Sequence, residues 1–297
     1  MGIVLDFSAF QCKYAYPSPC QMNYDRIAEL YHSGEIDGVI FRYARGKYPD
    51  VRLPEFYPAL KARGVATAGY GVFNPFEAIA PQVSAFKAMA LQFPIIGAGV
   101  MGVRVAGDVE IPLPGMSQLV YASLLFQYVT GIQADTLYSN ENSWETLVGH
   151  QADGWHKALQ KWVANYENPL GPRLPDGWET YLLWQYSETG SGAYYGCGSI
   201  HVDLNRWNPI ITDPPPVEPP PEPGDCDPLP VLTVQSETLN IRVGPGTSYA
   251  IVGELDQGDQ VTVYDVVPVT AASVWAKIEP ETEGYCAIVH GGVKYLA

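Results

Sequence analysis

Along residues 2–208, short apolar runs alternate with longer segments whose apolar positions recur at helical spacing. The runs GIVLDFS (2–8), DGVIFRYA (37–44), VATAGYGVF (65–73), MGVRVAGDVE (101–110), DTLYSN (135–140), KWVANYE (161–167) and TYLLWQYS (180–187) read as strands. Between them, YDRIAELYHSG (24–34), LPEFYPALKARG (53–64), PQVSAFKAMALQF (81–93), PGMSQLVYASLLFQYVTG (114–131) and SWETLVGH (143–150) read as helices, several ending at glycine. Near-continuous apolar strands separated by amphipathic helices indicate buried parallel strands in βα units. About eight such units predict an α/β fold, a compact β/α barrel of the TIM type. Catalytic residues of such barrels sit at the C-terminal ends of strands, where Asp6, Arg42, Tyr70, Asp108, Glu110 and Tyr138 fall.

The pattern breaks at residues 209–230, where proline becomes dense and acidic residues are interspersed. Proline fixes φ and donates no ladder hydrogen bond, so this stretch predicts an extended tether between a domain over 1–208 and another over 231–297. The last segment shows period-two alternation in LTVQSE, LNIRVGPG, VWAKIEP and EGYCAIV, with Gly-Pro-Gly and Gln-Gly-Asp turns. It predicts a second, small all-β barrel.

The net charge of −15 has the wrong sign for releasing counterions from a nucleic-acid backbone. Residues 1–208 carry −5 and residues 209–297 carry −10, so the C-terminal region must hold a partner by shape, stacking and hydrogen bonds. No apolar run approaches the roughly 18 residues a membrane span needs. The five cysteines (Cys12, Cys20, Cys197, Cys226, Cys286) are an odd number without zinc-site spacing. Cys12 and Cys20 flank a short loop, and Cys226 is within sequence reach of Cys286, but both the reduced and the disulfide-bonded readings fit. The five histidines show no ligand spacing, and neither a metal nor another cofactor is called for.

Asp108 and Glu110 stand two apart on a strand, so their side chains share one face. Carboxyls packed that closely raise each other's proton affinity, so one stays an acid while the other ionises, the arrangement glycosidic cleavage needs. Asp6 near the first strand's end and Asp203 in HVDLN would join them at the barrel mouth. Aromatics crowd the same segments, among them Tyr43, Tyr70, Phe73, Tyr138, Trp162, Tyr166, Trp184 and Tyr186. Their faces stack on sugar rings and their polar edges bond hydroxyls.

In order along the chain, LDFSAFQ (D-x-S-x-x-Q), DGVIFRYARG, GYGVF, GDVE (D-x-E), LYSNENSW, KWVANYE and LWQYSETGSGAYYGCGSIHVDLNRW resemble the landmarks of the family-25 glycoside hydrolases, the lysozymes of phages and bacteria, over residues 2–208. That resemblance implies a barrel with fewer helices than the full eight-fold form and cleavage of the β-1,4 bond between N-acetylmuramic acid and N-acetylglucosamine in peptidoglycan. It further implies Glu110 as general acid, Asp108 as the group that orients the substrate's acetamido, and Asp6 and Asp203 as the cleft floor. Tyr70, Tyr138, Trp184, Gln185 and Tyr43 would be sugar contacts. Two departures stand out: Gly107 precedes Asp108 where the family carries a bulkier apolar residue, and Gly71-Val72 replace the histidine of its Y-H-F run.

LNIRVGPGTSYAIVGELDQGDQVTVY and the later tryptophan of VWAKI resemble a bacterial SH3-like domain, which implies binding of wall peptide or glycan. Asn240 and Arg242 then brace a turn, and Tyr249, Tyr264 and Trp275 are the candidate contacts. The whole resembles a phage endolysin, expected as a monomer that waits in the host cytoplasm and then acts on the wall, or an extracellular enzyme if a signal has been removed. The contrasting class is a wall-binding phage structural or adhesion protein with little catalysis; loss of a carboxylate would favour it, and all four are present.

Overall fold

The computed structural model describes residues 2–12, 18, 20–152, 154–210, 231–263, 265–270, 273–278, 284–291 and 293–296. Of the expected tether over 209–230, residues 211–230, Cys226 among them, lie outside the described residues, as does Tyr264.

Nine strands form the larger sheet: β1 (Ile3–Phe7), β2 (Ile36–Arg45), β3 (Tyr48–Pro49), β4 (Thr67–Val72), β5 (Val105–Asp108), β6 (Thr136–Asn140), β7 (Gln160–Ala164), β8 (Leu183–Ser191) and β9 (His201–Trp207). Their order is β1-β9-β8-β7-β6-β5-β4-β2-β3, and pairing of β1 with β2 closes eight of them into a barrel, with β3 hairpinned onto the end of β2. The helices are α1 (Tyr24–His32), α2 (Leu53–Lys61), α3 (Ile79–Gln92), α4 (Gln118–Gly131) and α5 (Glu141–Leu147). Side-chain caps fix several of their starts: Asn23 accepts from the Arg26 amide at 3.0 Å and Asn140 from the Ser143 amide at 2.9 Å.

One expectation is corrected. The strands are not all parallel, because β9 runs antiparallel to both β1 and β8. Residues 192–200 are all that joins β8 to β9, shorter than the dozen or more residues a parallel crossover requires.

The barrel interior is built in two tiers by strand alternation. Val4, Ile40, Ala68, Ala106, Trp162, Leu183 and Trp207 form a buried, apolar lower layer. Two residues further toward the mouth stand Asp6, Arg42, Tyr70, Asp108 and Gln185, lining a cleft. The outward face of the same strands, Leu5, Phe7, Phe41, Tyr43, Leu137, Val163 and Trp184, packs in the layer shared with the helices.

The remaining strands, β10 (Val231–Thr233), β11 (Thr238–Arg242), β12 (Ile251–Asp256), β13 (Gln260–Thr262), β14 (Asp265–Thr270), β15 (Ser273–Lys277), β16 (Tyr285–His290) and β17 (Val293–Lys294), pair only antiparallel. Leu239, Val274, Trp275, Cys286, Ile288 and Leu296 are buried among them. This is the small all-β unit the alternation predicts.

Candidate active site

The opening motif folds into the first wall of the cleft. Directly after β1, Ser8 caps a 3-10 turn over Ala9–Gln11, and Gln11 reaches back, its Oε1 accepting from the Ser8 amide at 2.6 Å. This capping box explains the Ser and Gln of D-x-S-x-x-Q as a local fold determinant. The Gln11 carbonyl then accepts from the Ser199 amide at 2.9 Å, tying the β8–β9 connection to the same rim. Cys12 and Cys20 are joined by a disulfide, and Cys197, a buried thiol, also lines the cleft. Burial and the nearby Asp203 and Asp6 push the Cys197 thiol up to about 12, so it is not a thiolate nucleophile.

The cleft has a volume of about 1130 Å³. All four predicted carboxylates line it, with Tyr70, Tyr138 and Gln185. Asp6 and Asp203 stand directly opposite one another on β1 and β9. The Asp6 carboxylate accepts from Asn205 Nδ2 at 2.8 Å and from Gln185 Nε2 at 3.1 Å. Burial raises its pKa, and these donors with a hydrogen bond from Asp203 oppose the rise. Asp203 is pushed up to about 9, first by burial and then by the charge of Asp6, so it is the proton-bearing member.

A polar chain extends from this pair. Trp162 donates its indole N–H to Asn205 Oδ1 at 2.7 Å, and the Tyr138 and Tyr166 hydroxyls both donate to Gln185 Oε1, at 2.8 and 2.6 Å. Asn205 and Tyr166 hold the site together; the aromatic pattern of the sequence marks Tyr166, whereas no motif marks Asn205. Asn205 lies two residues beyond Asp203 on β9, so alternation placed it on the same face.

Asp108 is 3% exposed, and its Oδ1 has no hydrogen-bond partner among the described residues. Burial, reinforced by Glu110 and Asp6, holds its pKa well above the usual carboxylate range, against the opposing charges of Arg42 and Arg45. The strand ends at Asp108, so Glu110 is not on it as expected but in the segment two residues beyond, exposed on the cleft side. The surrounding walls raise its pKa through desolvation, with Arg45 opposing and Asp6 reinforcing. The Arg42 charge is matched by Asp50, at 2.7 Å.

Two predicted sugar contacts do not reach the cleft. Tyr43 is buried on the outer face, donating its hydroxyl to the Phe93 carbonyl at 2.6 Å and packing against Phe86. Trp184 is likewise buried outward; its indole donates to the Asn165 carbonyl at 2.7 Å while the Arg206 guanidinium covers its ring. Each is adjacent in sequence to a cleft residue, Arg42 and Gln185, and neighbours on a strand point to opposite faces. Trp275 is 2% exposed and packs in the small domain's core, with an edge lining a shallow cavity beside Asn240, Arg242, His290 and Tyr295. Tyr249 is 47% exposed, and Arg242 braces its turn by donating to the Thr247 and Tyr249 carbonyls at 3.2 and 2.7 Å.

The eight-stranded barrel with carboxylates at its mouth is a β/α barrel, and known structures share its fold. A muramidase from Acremonium alcalophilum is 19% identical, with a TM-score of 0.51 over 70% of this chain and 94% of that one. A glycosyl hydrolase 25 virulence factor of Streptococcus pneumoniae is 18% identical, with a TM-score of 0.53 over 71% of this chain and 88% of that one. A bacterial lysozyme from Streptomyces coelicolor is 19% identical, with a TM-score of 0.50 over 70% and 92%. The barrel therefore has the fold of the family-25 lysozymes. The family model described as bacterial SH3 domain matches residues 237–293. No curated protein matches the sequence.

Proposed function

We propose that the protein is a peptidoglycan-cleaving muramidase, in which residues 1–208 cut the β-1,4 bond after N-acetylmuramic acid and residues 231–297, tethered through 209–230, hold the enzyme on the wall. The observation that carries this reading is the unpartnered, buried Oδ1 of Asp108 beside Glu110 in the cleft. A buried acceptor left unsatisfied is costly, and a donor on the substrate relieves that cost only when substrate is bound.

An acetamido N–H supplies that donor. Its hydrogen bond favours ionised Asp108, so the proton held between the two raised carboxyls settles on Glu110. Glu110 then protonates the leaving oxygen as the acetamido oxygen attacks the anomeric carbon and the glycosidic C–O bond breaks. Water subsequently attacks that carbon, the acetamido oxygen departs, and the Glu110 carboxylate takes the water's proton. This is substrate-assisted hydrolysis with retention. Tyr70 and Tyr138 contact the sugars, Gln185 positions Tyr138 and Tyr166, and the Asp6–Asp203 pair keeps one negative charge at the floor.

Purified peptidoglycan digested with the protein, reduced with borohydride and analysed by mass spectrometry tests the reading. Reduced muramic-acid ends are expected. Reduced glucosamine ends, new amino groups or undigested glycan contradict it.

A further inference from the structure

A second cavity of about 500 Å³ opens beside the cleft, and Arg42 and Arg45 line both. Its walls come from the β2–β3 hairpin and the residues after it, and from the segments following β4 and β5: Tyr48, Val51, Asn74, Phe76 and Ile111, with the one carboxylate in the wall among the described residues, Asp50, buried and engaged by Arg42. The two rims are bolted together. Glu77 accepts from the Lys47 amide at 2.7 Å, and Gln82 clasps Asn74, accepting from its amide and donating to its carbonyl, both at 2.9 Å. The space is therefore built before any ligand arrives.

The two arginines differ. Arg42 is matched by Asp50, whereas Arg45, exposed at the junction, has no carboxylate within 4.0 Å among the described residues. The negative groups whose charge it feels are Asp108 and Glu110 across the mouth. Tyr48 and Val51 are 62% and 48% exposed, so the cavity joins a cation to uncovered apolar surface. Sugar hydroxyls and acetamido groups require no such cation. A carboxylate does, and a guanidinium grips it by two parallel hydrogen bonds. The volume also far exceeds what one carboxylate fills, while the apolar walls suit short alkyl groups beside it.

We propose that this cavity is a subsite for a carboxylate-bearing peptide substituent on the sugar next to the scissile bond, with Arg45 as the partner of the carboxylate. The inference rests on the muramidase reading and gives it a preference for peptide-substituted glycan.

The test is steady-state kinetics of the full chain on three soluble glycans of equal length: one bearing stem peptides, one stripped of peptides so that only lactyl carboxylates remain, and an uncharged chito-oligosaccharide. Wild type is compared with Arg45→Gln, Arg45→Lys and Tyr48→Ala. Because Arg45 also opposes the raised Glu110 pKa, Arg45→Gln alters turnover on all three glycans alike, so the readout is relative: KM on the peptide-bearing glycan is expected to rise about tenfold more than KM on the chito-oligosaccharide, the scale of one charge-assisted contact. KM on the chito-oligosaccharide should shift much less, Arg45→Lys should recover part of the loss, and Tyr48→Ala should weaken only the peptide-bearing substrate. An equal KM change on all three, or none on the peptide-bearing glycan, overturns the proposal. A loss as large on the peptide-stripped glycan also overturns it, in favour of a lactyl carboxylate site. Failure of wild type to cut any glycan overturns the muramidase reading and this one together.

Discussion

Asp6 on β1 and Asp203 on β9 face each other in register across an antiparallel pair, close enough that each carboxyl shifts the other's proton affinity. The proton sits on Asp203, whose pKa is pushed up to about 9 by burial and by Asp6. The unfolded chain releases that proton near pH 4, so between about pH 4 and 9 the folded state binds more protons than the unfolded one. Stability from this pair is fully present below the unfolded pKa and is lost as pH rises through about 9. Asp203→Asn keeps a donor toward Asp6 but does not titrate. Its melting temperature, followed by calorimetry from pH 5 to 9, is expected to fall less steeply than that of wild type.

Tyr43 and Tyr70 separate fold from function. Tyr43→Phe strands the buried Phe93 carbonyl, and chemical denaturation should register a loss of about 1–2 kcal/mol with kcat/KM unchanged. Tyr70 lies in the cleft, edge-on to Trp162. Tyr70→Phe should do the reverse, lowering kcat/KM on soluble glycan with little change in stability.

Gly71 and Gly107, the two departures from the family pattern, are packing sites. A Cβ on Gly71 would collide with the Tyr128 hydroxyl and lie 2.7 Å from Phe86, and one on Gly107 would lie 2.8 Å from Val129. Helices α3 and α4 thus rest directly on the sheet at these points. Overpacking of this kind costs about 1–3 kcal/mol, so Gly107→Ala should unfold at lower denaturant, with Gly71→Ala worse.

The legible parts of the molecule follow from period-two alternation. Once Asp6, Tyr70 and Asp108 are assigned to one face, the two-tier interior follows, and Asn205 follows from Asp203. Tyr43 and Trp184 face outward by that same alternation, which fixes side-chain direction whatever the aromatic chemistry of the residue. Arg45 departs from it. The pairing of β2 with β4 shifts register between Arg42 and Ala44, and an irregularity of that kind re-aims side chains, so residues three apart both reach the cleft. A similar shift on β8 after Gln185 accompanies Glu188 at the cleft wall. Bulges are set by barrel closure and leave no periodic trace in the sequence. The direction of β9 depended on the length of a connection, which the apolar pattern does not weigh.

Tyr249 offers a test of the small domain. Its ring covers Gly244, and nearly half of the residue remains exposed. Tyr249→Ala should reduce co-sedimentation with purified walls while leaving the rate on soluble glycan unchanged.

The central claim is that Glu110 is the acid of a glycosidase. The pH–rate profiles of wild type and Glu110→Gln on soluble peptidoglycan fragments test it most directly. Because desolvation by the cleft walls raises its pKa, Glu110 keeps its proton above the ordinary glutamate range, and wild-type kcat/KM should fall on the alkaline side as that proton is lost. Glu110→Gln should lose about 10³-fold or more, the scale of general acid catalysis, and the alkaline limb should vanish with it. Activity within tenfold of wild type, with the limb intact, would contradict the account.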